Sequence, residues 1–341
     1  MIVSFAVVAY NEAETLPRLL RDLAGQDYPH EKVEVLLIDS MSTDDTARIM
    51  EDFAAEDHGF LRVKVLKNPE KILPCGCNVM LENYTGDALV RLDGHATIPT
   101  DFISKNVAVL ESGEAISAGP RPNIIDEVTP WKETLLLAEQ SMFGSSIAPY
   151  RHREKRSYVS SAFHAMYRRE VYEAAGRYDQ RLSRTEDNDM SWRIRAAGYR
   201  ICYTPEITSY QHTRNTLKKL LRQKYLNGYW IGKTMGVNPH CFSIYHFVPL
   251  AFVLGILLTT VLAVLGHPLL GGLMWGAYLL LILLFTAVEL VRQPFSATNL
   301  LLPVIFFLLH ISYGAGTLVG LVEMPFWLRK LKRLDKEDRH G

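Results

Sequence analysis

The last third of the chain is almost free of charged residues, and this constrains the architecture more than any other feature. Between residues 242 and 328 the only full charges are Glu289, Arg292 and Glu323. Apolar stretches of about 18 residues or more are long enough to cross the hydrocarbon core of a membrane. Most charged residues lie before position 235. The sequence therefore predicts a water-exposed domain followed by a membrane region.

Three apolar segments follow one another in this region, at residues 245–265, 269–291 and 300–322. A Gly-His-Pro turn at residues 266–268 predicts that the first two form a hairpin that returns to the cytoplasm. A third full span would place the basic tail at residues 329–333 outside, against the tendency of basic segments to stay inside. We therefore expect a broken, re-entrant or steeply packed third segment with a cytoplasmic tail. The alternative is three simple spans with an external tail.

Two further patterns surround these apolar segments. Residues 216–229 mix basic residues with leucine and tyrosine, which is typical of a helix lying at a membrane surface. The basic residues are Lys218, Lys219, Arg222 and Lys224. Small residues in the third apolar segment predict close packing against another helix. These small residues are Gly314, Gly316 and Gly320.

The first two-thirds of the chain alternates short apolar runs with helical stripes. The strand-like runs are residues 2–9, 33–38, 61–66 and 88–92. The helix-like stretches between them are residues 14–24, 46–55 and 74–81. This alternation predicts an α/β fold with a doubly wound, mostly parallel sheet and flanking helices. Later elements are less regular, but residues 186–197 predict a helix that ends at Gly198.

Composition excludes several classes of protein. Lys plus Arg and Asp plus Glu are both 37, so nothing in the overall charge suggests nucleic-acid binding. Cys75 and Cys77 are separated by one residue, not by the two of zinc ribbons or thioredoxin-like sites, and we expect reduced thiols. The apolar run at residues 2–9 is too short for a signal peptide and lacks a basic region. The first domain is therefore expected to be cytoplasmic.

Acidic residues follow two of the predicted strands. Asp39 comes directly after residues 33–38, and Asp93 comes directly after residues 88–92. In an open parallel sheet, residues just past the strand ends point into a shared crevice where ligands bind. Asp39 could there accept hydrogen bonds from a nucleobase or ribose. The alternative reading of each residue is an ordinary turn or helix-capping aspartate.

Two motifs contain side chains that could take part in catalysis. In Asp93-Gly94-His95, a carboxylate and an imidazole two residues apart can face one divalent ion that bridges phosphates. In Thr185-Glu186-Asp187, a carboxylate at a helix start can take a proton from an acceptor hydroxyl. The alternative for that motif is an acidic first turn that complements the helix dipole. His212 or Arg214 could neutralise a leaving diphosphate, or could serve as membrane-surface charge.

Together these motifs resemble the inverting glycosyltransferases of family 2, which have a GT-A fold. The resemblance covers residues 3–230 and includes four motifs in the expected order. They are Val7-Val8-Ala9-Tyr10-Asn11-Glu12, Leu37-Ile38-Asp39-Ser40-Met41-Ser42-Thr43-Asp44, Asp93-Gly94-His95 and Thr185-Glu186-Asp187. Within the family the chain is most similar to membrane-anchored enzymes of succinoglycan biosynthesis. Ser40 departs from the usual second aspartate, and Asn215 stands where processive synthases have tryptophan after Gln211 and Arg214.

The resemblance implies a role for each matched residue. Asp187 is the expected catalytic base, with Glu186 beside it in the motif. Asp93 and His95 are expected to bind Mg²⁺ or Mn²⁺. The expected contacts to the nucleotide sugar are Ala9, Tyr10, Asn11, Glu12, Asp39, Ser40, Asn78, Asp93 and Arg214.

The function expected from these features is transfer of a sugar from a nucleoside-diphosphate sugar, with UDP as the expected nucleotide. The acceptor is expected to be a saccharide linked to a polyprenyl diphosphate, in exopolysaccharide or cell-surface glycan synthesis at the inner (plasma) membrane. A processive polysaccharide synthase and a non-catalytic sugar-nucleotide-binding membrane protein are the alternatives. The expected parts are residues 1–215 (cytoplasmic catalytic domain), 216–242 (interfacial helix and linker), 243–328 (transmembrane region) and 329–341 (basic tail).

Overall fold

The computed structural model describes residues 1–144, 154–213, 216–294 and 296–337, with side chains up to residue 333. The chain divides into two compact units. The first, here the sheet unit, comprises Met1–Ile124 and Pro149–His212. The second, here the helical unit, comprises Ile125–Ala148 and Thr213–Gly341. Residues 125–148, which we predicted to belong to the first domain, therefore group with the C-terminal helices.

The sheet unit confirms the predicted α/β class. Its strands are β1 Val3–Ala9, β2 Val33–Asp39, β3 Arg62–Lys67, β4 Ala88–Asp93, β5 Ala96–Thr97, β6 Ile116–Ala118, β7 Asn123–Ile124, β8 Ser157–Val159, β9 Met166–Arg168, β10 Ile201–Tyr203 and β11 Tyr210–His212. Its helices are α1 Leu16–Ala24, α2 Thr46–Ala55, α3 Leu73–Asn83, α4 Phe102–Glu111, α6 Arg169–Ala175 and α7 Glu186–Ala196. The described strands form a larger sheet in the order β3-β2-β1-β4-β9-β6-β10-β8 and a smaller one in the order β5-β11-β7.

Four parallel strands, β3-β2-β1-β4, make up one half of the larger sheet. Strands β1 and β2 are buried along their whole length, as continuous apolar runs in a parallel sheet require. Helix α1 covers them with Leu16, Leu19, Leu20 and Leu23, a stripe that recurs every three or four residues. The antiparallel strand β9 then joins β4 to the remaining strands.

Register brings the ends of three strands to one level. Ala9 at the end of β1 pairs with Asp39 at the end of β2. Val8 pairs with Asp93 at the end of β4. Because β2 and β4 lie on opposite sides of β1, the connections diverge there, and a crevice forms at such a switch point. The predicted positions of Asp39 and Asp93 at one sheet edge are thus confirmed.

The helical unit consists mainly of helices that pack on one another. They are α5 Pro130–Gln140, α8 Leu217–Thr234, α9 Val248–Val264, α10 Leu269–Arg292 and α11 Leu302–Glu337. Its core joins Leu135 and Ala138 of α5 to Leu220 of α8 and to Ile305 and Phe306 of α11. Within the described residues, three stretches are long and apolar enough to cross a membrane. They are Ile244–Val264, Leu269–Arg292 and Ala297–Arg333.

The third apolar segment is not broken, contrary to one of our expectations. Leu302–Glu337 forms one continuous helix with Pro325 inside it. Its small residues do pack closely, as predicted: a Cβ added to Gly316 would lie 2.1 Å from the Tyr225 carbonyl oxygen, and one added to Gly320 would lie 2.1 Å from that of Tyr229. Glycine at these positions lets the backbones of α8 and α11 approach each other.

Candidate active site

The loops after β1 and β2 are joined by hydrogen bonds. The backbone N–H of Asn11 donates to Ser42 Oγ at 3.0 Å, and Asn11 Oδ1 accepts from the N–H of Thr43 at 2.8 Å. Asn11 has a positive φ of 54°, a conformation that asparagine tolerates better than most residues. The Asp39 carboxylate accepts from the N–H of Ser42 at 3.1 Å. These bonds hold the two predicted nucleotide-contacting loops as one surface.

Two other residues of this surface are tied into the backbone. The N–H of Ser40 donates to the Ala9 carbonyl at 2.9 Å, which continues the pairing of β1 and β2. The Ser40 hydroxyl accepts from Asn68 Nδ2 at 3.0 Å. Serine at this position, in place of a second aspartate, is therefore buried and bonded. Tyr10 projects into solvent, with 49% of its surface exposed.

The second part of the site lies beyond β4, where Gly94 allows a close approach. A Cβ at Gly94 would lie 3.1 Å from the Glu12 side chain and 3.2 Å from Ala9 Cβ. These neighbours belong to the end of β1 and to the loop that follows it. A side chain at this position would have to press against Glu12, the partner of His95.

His95 is held from both sides. Its Nδ1 lies 3.0 Å from Glu12 Oε1, and its Nε2 lies 2.7 Å from Gln211 Nε2. A ring that donates from Nδ1 to Glu12 can accept the Gln211 amide N–H at Nε2. Burial disfavours the imidazolium, but the Glu12 bond and the Asp93 charge outweigh it and raise the pKa of His95. Glu12, predicted to contact the nucleotide, orients His95 through its side chain.

Asp93 faces a histidine that the sequence analysis missed. His164 Nε2 lies 3.5 Å from Asp93 Oδ2, and His164 Nδ1 lies 2.9 Å from Ser209 Oγ. Burial lowers the pKa of His164. Burial by itself would raise the pKa of Asp93, but His164 and the Arg91 charge hold it well below its usual range. We refer to Glu12, Asp93 and His95 as the His95 cluster.

The His95 cluster contains the donor atoms expected for a divalent cation. In the described part of the chain, no group of three or more His, Cys, Asp or Glu residues is placed to hold a metal ion. Mg²⁺ and similar ions are commonly held by one or two protein ligands together with substrate phosphates. The Glu12 bond to Nδ1 is the kind of outer contact that orients a histidine ligand through its other nitrogen. The residues present fit a metal that binds with its substrate, provided that Gln211 leaves Nε2.

Asp187 is paired with an arginine from the sheet. Arg91 Nη2 donates to Asp187 Oδ1 at 3.2 Å and to Oδ2 at 3.0 Å. Arg91 Nη1 also donates to Cys77 Sγ at 3.3 Å, and burial raises the pKa of that thiol to about 12. The Arg91 side chain is 9% exposed and that of Asp187 is 28% exposed. The predicted base is therefore accessible, while a buried cation fixes its orientation.

Glu186, which precedes Asp187 in the motif, lies in a more buried environment. It is 4% exposed, and its Oε2 is a buried oxygen without a hydrogen-bond partner among the described residues. Burial, followed by the charge of Asp187, raises the pKa of Glu186 to about 8. Glu186 is therefore mostly protonated near neutral pH, unlike an ordinary surface carboxylate. We refer to Arg91, Glu186 and Asp187 as the Asp187 cluster.

One predicted donor contact has a structural role in this arrangement. Asn78 Nδ2 donates to the Tyr178 carbonyl at 2.9 Å, and Asn78 Oδ1 accepts from the Tyr178 N–H at 2.8 Å. Both ends of the amide thus hold the backbone of the segment that leads to α7, and we no longer assign Asn78 to the nucleotide. Arg214 lies outside the described residues.

Sequence reasoning missed Arg91 and His164 as neighbours of the site, and it named Gln211 only in the comparison with processive synthases. Arg91 had a visible signal, since it is a charged residue inside an apolar strand and shares a face with Asp93 two residues later. His164 had a weaker one, a histidine in an apolar run, and its φ of 50° is visible only in the structure. Gln211 reaches His95 because β11 pairs with β5, a contact across 116 residues.

The chain matches the family model "Glycosyl transferase family 2" over residues 4–176, about half of its length. It belongs to this family and is a glycosyltransferase. A dolichyl N-acetyl-α-D-glucosaminyl phosphate 3-β-D-2,3-diacetamido-2,3-dideoxy-β-D-glucuronosyltransferase from Methanococcus voltae is 23% identical over 94% of this chain and 97% of the relative. The succinoglycan biosynthesis protein ExoA from Rhizobium meliloti is 28% identical over 67% of this chain and 68% of the relative. The resemblance stated from the motifs is thereby confirmed.

Solved structures support the fold. A mannosyltransferase from Pyrobaculum calidifontis, in complex with GDP-mannose and Mn²⁺, superposes with a TM-score of 0.61 at 19% identity. That alignment covers 93% of this chain and 86% of the mannosyltransferase. TarS from S. aureus, residues 1–349 with UDP, gives a TM-score of 0.50 at 20% identity, over 68% of this chain and 65% of TarS. The GT-A fold expected from the motifs is confirmed.

Proposed function

We propose that the protein transfers a sugar from a nucleoside-diphosphate sugar to a saccharide on a polyprenyl phosphate carrier, with inversion at the anomeric carbon. The observation that carries this proposal is the accessible Asp187 carboxylate, oriented by Arg91 in the sheet unit that also holds the His95 cluster. A base and a phosphate-binding edge on one scaffold are what a single displacement at an anomeric carbon requires.

The donor would bind along the loops after β1 and β2. Asn11 and Asp39 lie on the surface that their hydrogen bonds to Ser42 and Thr43 hold together. Asp39 is 5% exposed, so its remaining lone pairs suit a directed hydrogen bond from a base or ribose and not a solvated charge. We expect UDP as the nucleotide, and TarS has been solved with UDP in a related fold.

In the reaction, Asp187 takes the proton of the acceptor hydroxyl. The hydroxyl oxygen attacks the anomeric carbon on the face opposite the diphosphate, and the bond from that carbon to the diphosphate oxygen breaks with its electron pair. Arg91 donates to both Asp187 oxygens and so keeps the carboxylate aimed during proton transfer. Glu186, mostly protonated near neutral pH, adds little charge beside the base.

A divalent cation would be held by Asp93 and His95, together with the donor diphosphate. When bound, Mg²⁺ or Mn²⁺ supplies positive charge that stabilises the leaving diphosphate. The protein's own contribution at this edge is orientation. Glu12 fixes the ring of His95, and His164 and Arg91 favour the ionised form of Asp93.

The acceptor and the location are proposed from the relatives and the apolar helices. The name of the Methanococcus voltae relative describes transfer to a dolichyl phosphate saccharide. A carrier of this kind lies in a membrane, and this chain has helices long and apolar enough to cross one. We propose that the sheet unit lies on the cytoplasmic side, where nucleotide sugars are made.

The test uses the full-length protein in detergent, a short-chain polyprenyl phosphate N-acetylglucosamine and its diphosphate analogue, and a panel of UDP and GDP sugars. Release of nucleoside diphosphate is measured with Mn²⁺ and with EDTA, and the product linkage is determined by NMR. We expect one donor to be used, with EDTA abolishing turnover and the anomeric configuration inverted. A product that retains the donor configuration would refute the single displacement. Donor binding without turnover on any acceptor would refute the proposed acceptor class.

A further inference from the structure

Helices α8 and α11 lie side by side and point in the same direction. A Cβ added to Gly228 would lie 2.1 Å from the Tyr313 carbonyl oxygen, and one added to Gly232 would lie 2.6 Å from the Leu321 N–H nitrogen. Just beyond the end of α8, Gly236 would meet Met324 in the same way at 2.7 Å. Contacts thus advance together along both helices, so the orientation of α8 in a membrane is also that of α11.

The contact of α11 with the α9–α10 hairpin is different, because it stays at one level. Phe307 and His310 both lie near the ring of Phe252 on α9. Gly314 lies against Pro249 and Val253 of the same helix. From Phe307 to Gly314, α11 advances by about 10 Å, yet its contacts on α9 remain within about one turn. On α10 the same part of α11 contacts Trp275 and Tyr278, which are also one turn apart. Helix α11 therefore crosses the hairpin and does not run along it.

The charges of α8 argue against a membrane crossing by the α8–α11 pair. Leu217, Leu220 and Leu221 of α8 belong to the same apolar cluster as Leu302 and Ile305 at the start of α11. On the same turns of α8, exposed cationic side chains point away from the protein. They are Lys218, Lys219 and Arg222. If α11 crossed the bilayer, these cations would enter the hydrocarbon beside its most apolar turns, which is costly.

The other end of the pair has the composition of an interface. Trp230 and Trp327 pack edge to face at 6.1 Å, and the Lys233 ammonium lies 4.5 Å from the ring centre of Tyr229. Exposed basic residues follow on α11, namely Arg329, Lys330, Lys332 and Arg333. Tryptophan, tyrosine and basic side chains are enriched where a membrane meets water. Both ends of the pair therefore suit the headgroup region.

The apolar surface of α11 also differs from that of the hairpin helices. Between Leu302 and Gly320, eight residues of α11 are buried, compared with two along the whole of α9 and four along the whole of α10. The hairpin exposes its leucines and valines to the surroundings, as a lipid-facing span does. Helix α11 instead packs much of its apolar surface against α8 and against the hairpin.

We infer that α8 and α11 form a platform that lies in the plane of the bilayer surface, among anionic lipid headgroups. Of the helices that the structure describes, only α9 and α10 cross the membrane. The exposed basic residues of both helices face the lipid phosphates, whereas Lys224 and Lys233 are buried against Glu139 and Glu323. The hairpin alone enters the hydrocarbon. This places Lys218 and Lys330 on one side of the membrane and His267, at the tip of the hairpin, on the other.

The test labels single cysteines with a membrane-impermeant maleimide, in sealed vesicles of both orientations from cells that express the full chain. The variants are Lys218→Cys, His267→Cys and Lys330→Cys, all at exposed positions. The four native cysteines are buried, so the unmodified chain provides the background. Each sample is also labelled after solubilisation in a mild detergent that keeps the native cysteines buried, which measures the total amount of the introduced cysteine.

We expect Lys218→Cys and Lys330→Cys to be labelled in the same vesicle orientation, at least 10-fold more than in the opposite one. His267→Cys should show the reverse preference. Labelling of Lys330→Cys together with His267→Cys would mean that α11 crosses the membrane, and would overturn the inference. Transfer activity plays no part in this readout, so it stands apart from the proposed reaction.

Discussion

The two acidic clusters of the sheet unit share strand β4 but are held in opposite ways. In the His95 cluster, the partner of Glu12 is an imidazole that can change its protonation and exchange one of its hydrogen bonds. In the Asp187 cluster, the partner is a buried guanidinium that stays charged and donates to both carboxylate oxygens. The first arrangement suits a ligand that enters and leaves with each donor. The second suits a base whose position must not change.

The largest expected effect is loss of the base. Asp187→Asn keeps the size of the side chain but cannot accept a proton, and we expect turnover to fall by roughly 10³-fold. Because the His95 cluster is untouched, donor affinity measured by calorimetry should change less than a few-fold. Asp179→Asn, which removes a partly buried carboxylate paired with Arg181, serves as the control and should retain activity. An active Asp187→Asn enzyme would move the base elsewhere.

The next largest effect concerns the metal. Asp93→Asn should raise the concentration of Mn²⁺ needed for half-maximal turnover by roughly 100-fold. His95→Asp should remain active but shift its preference from Mn²⁺ toward Mg²⁺, because carboxylate oxygen is the harder ligand. Both are measured by titrating metal into the EDTA-treated enzyme. Unchanged metal titrations in both variants would show that the His95 cluster holds no ion.

A smaller effect is expected from the arginine that positions the base. Arg91→Met removes both hydrogen bonds to Asp187, and we expect kcat to fall by roughly 10- to 100-fold from misorientation of the carboxylate. Donor KM should stay within a few-fold of the wild-type value. Arg91→Lys keeps the charge but not the planar fork, so it should lie between the two enzymes. If both variants lost donor binding and kcat together, Arg91 would act through Asp93, whose ionised form it also favours, or would maintain the fold.

The smallest effect is on stability and depends on pH. The folded-state pKa of Glu186, about 8, exceeds its ordinary value of 4.5, so between these values the folded state keeps a proton that the unfolded state releases. Its stabilising contribution is complete below pH 4.5 and is lost as pH rises towards 8, at up to about 1.4 kcal/mol per pH unit. Glu186→Gln should therefore melt close to wild type at pH 5 and above it at pH 8, in thermal melts of the detergent-solubilised protein.

The control for this prediction is Glu51→Gln, which changes an exposed carboxylate on α2. Its melting temperature should follow that of the wild type across the same pH range. If the difference between Glu186→Gln and wild type did not grow with pH, Glu186 would be ionised in the folded protein. An ionised Glu186 would place a second negative charge beside Asp187. The Asp187 cluster would then be less firmly held than the comparison with the His95 cluster implies.

Local patterns were sufficient to predict much of this protein. Largely apolar runs identified β1, β2 and β4, because a strand buried on both faces favours apolar side chains along most of its length. Since parallel strands end at a common edge, the same runs placed Asp39 and Asp93 together. The spacing of Leu16, Leu19 and Leu23 identified α1, and the scarcity of charge after residue 242 identified the apolar helices.

Tertiary packing determined which residue each side chain of the site contacts. Arg91 and Asp187 are 96 residues apart, and His95 and Gln211 are 116 residues apart. No periodicity of strands or helices extends over such distances, so these pairs exist only because β4, α7 and β11 pack as they do. The assignment of residues 125–148 to the helical unit and the alignment of α11 with α8 have the same origin. Hydropathy measures how apolar a helix is, but only its neighbours determine whether that surface faces lipid or protein.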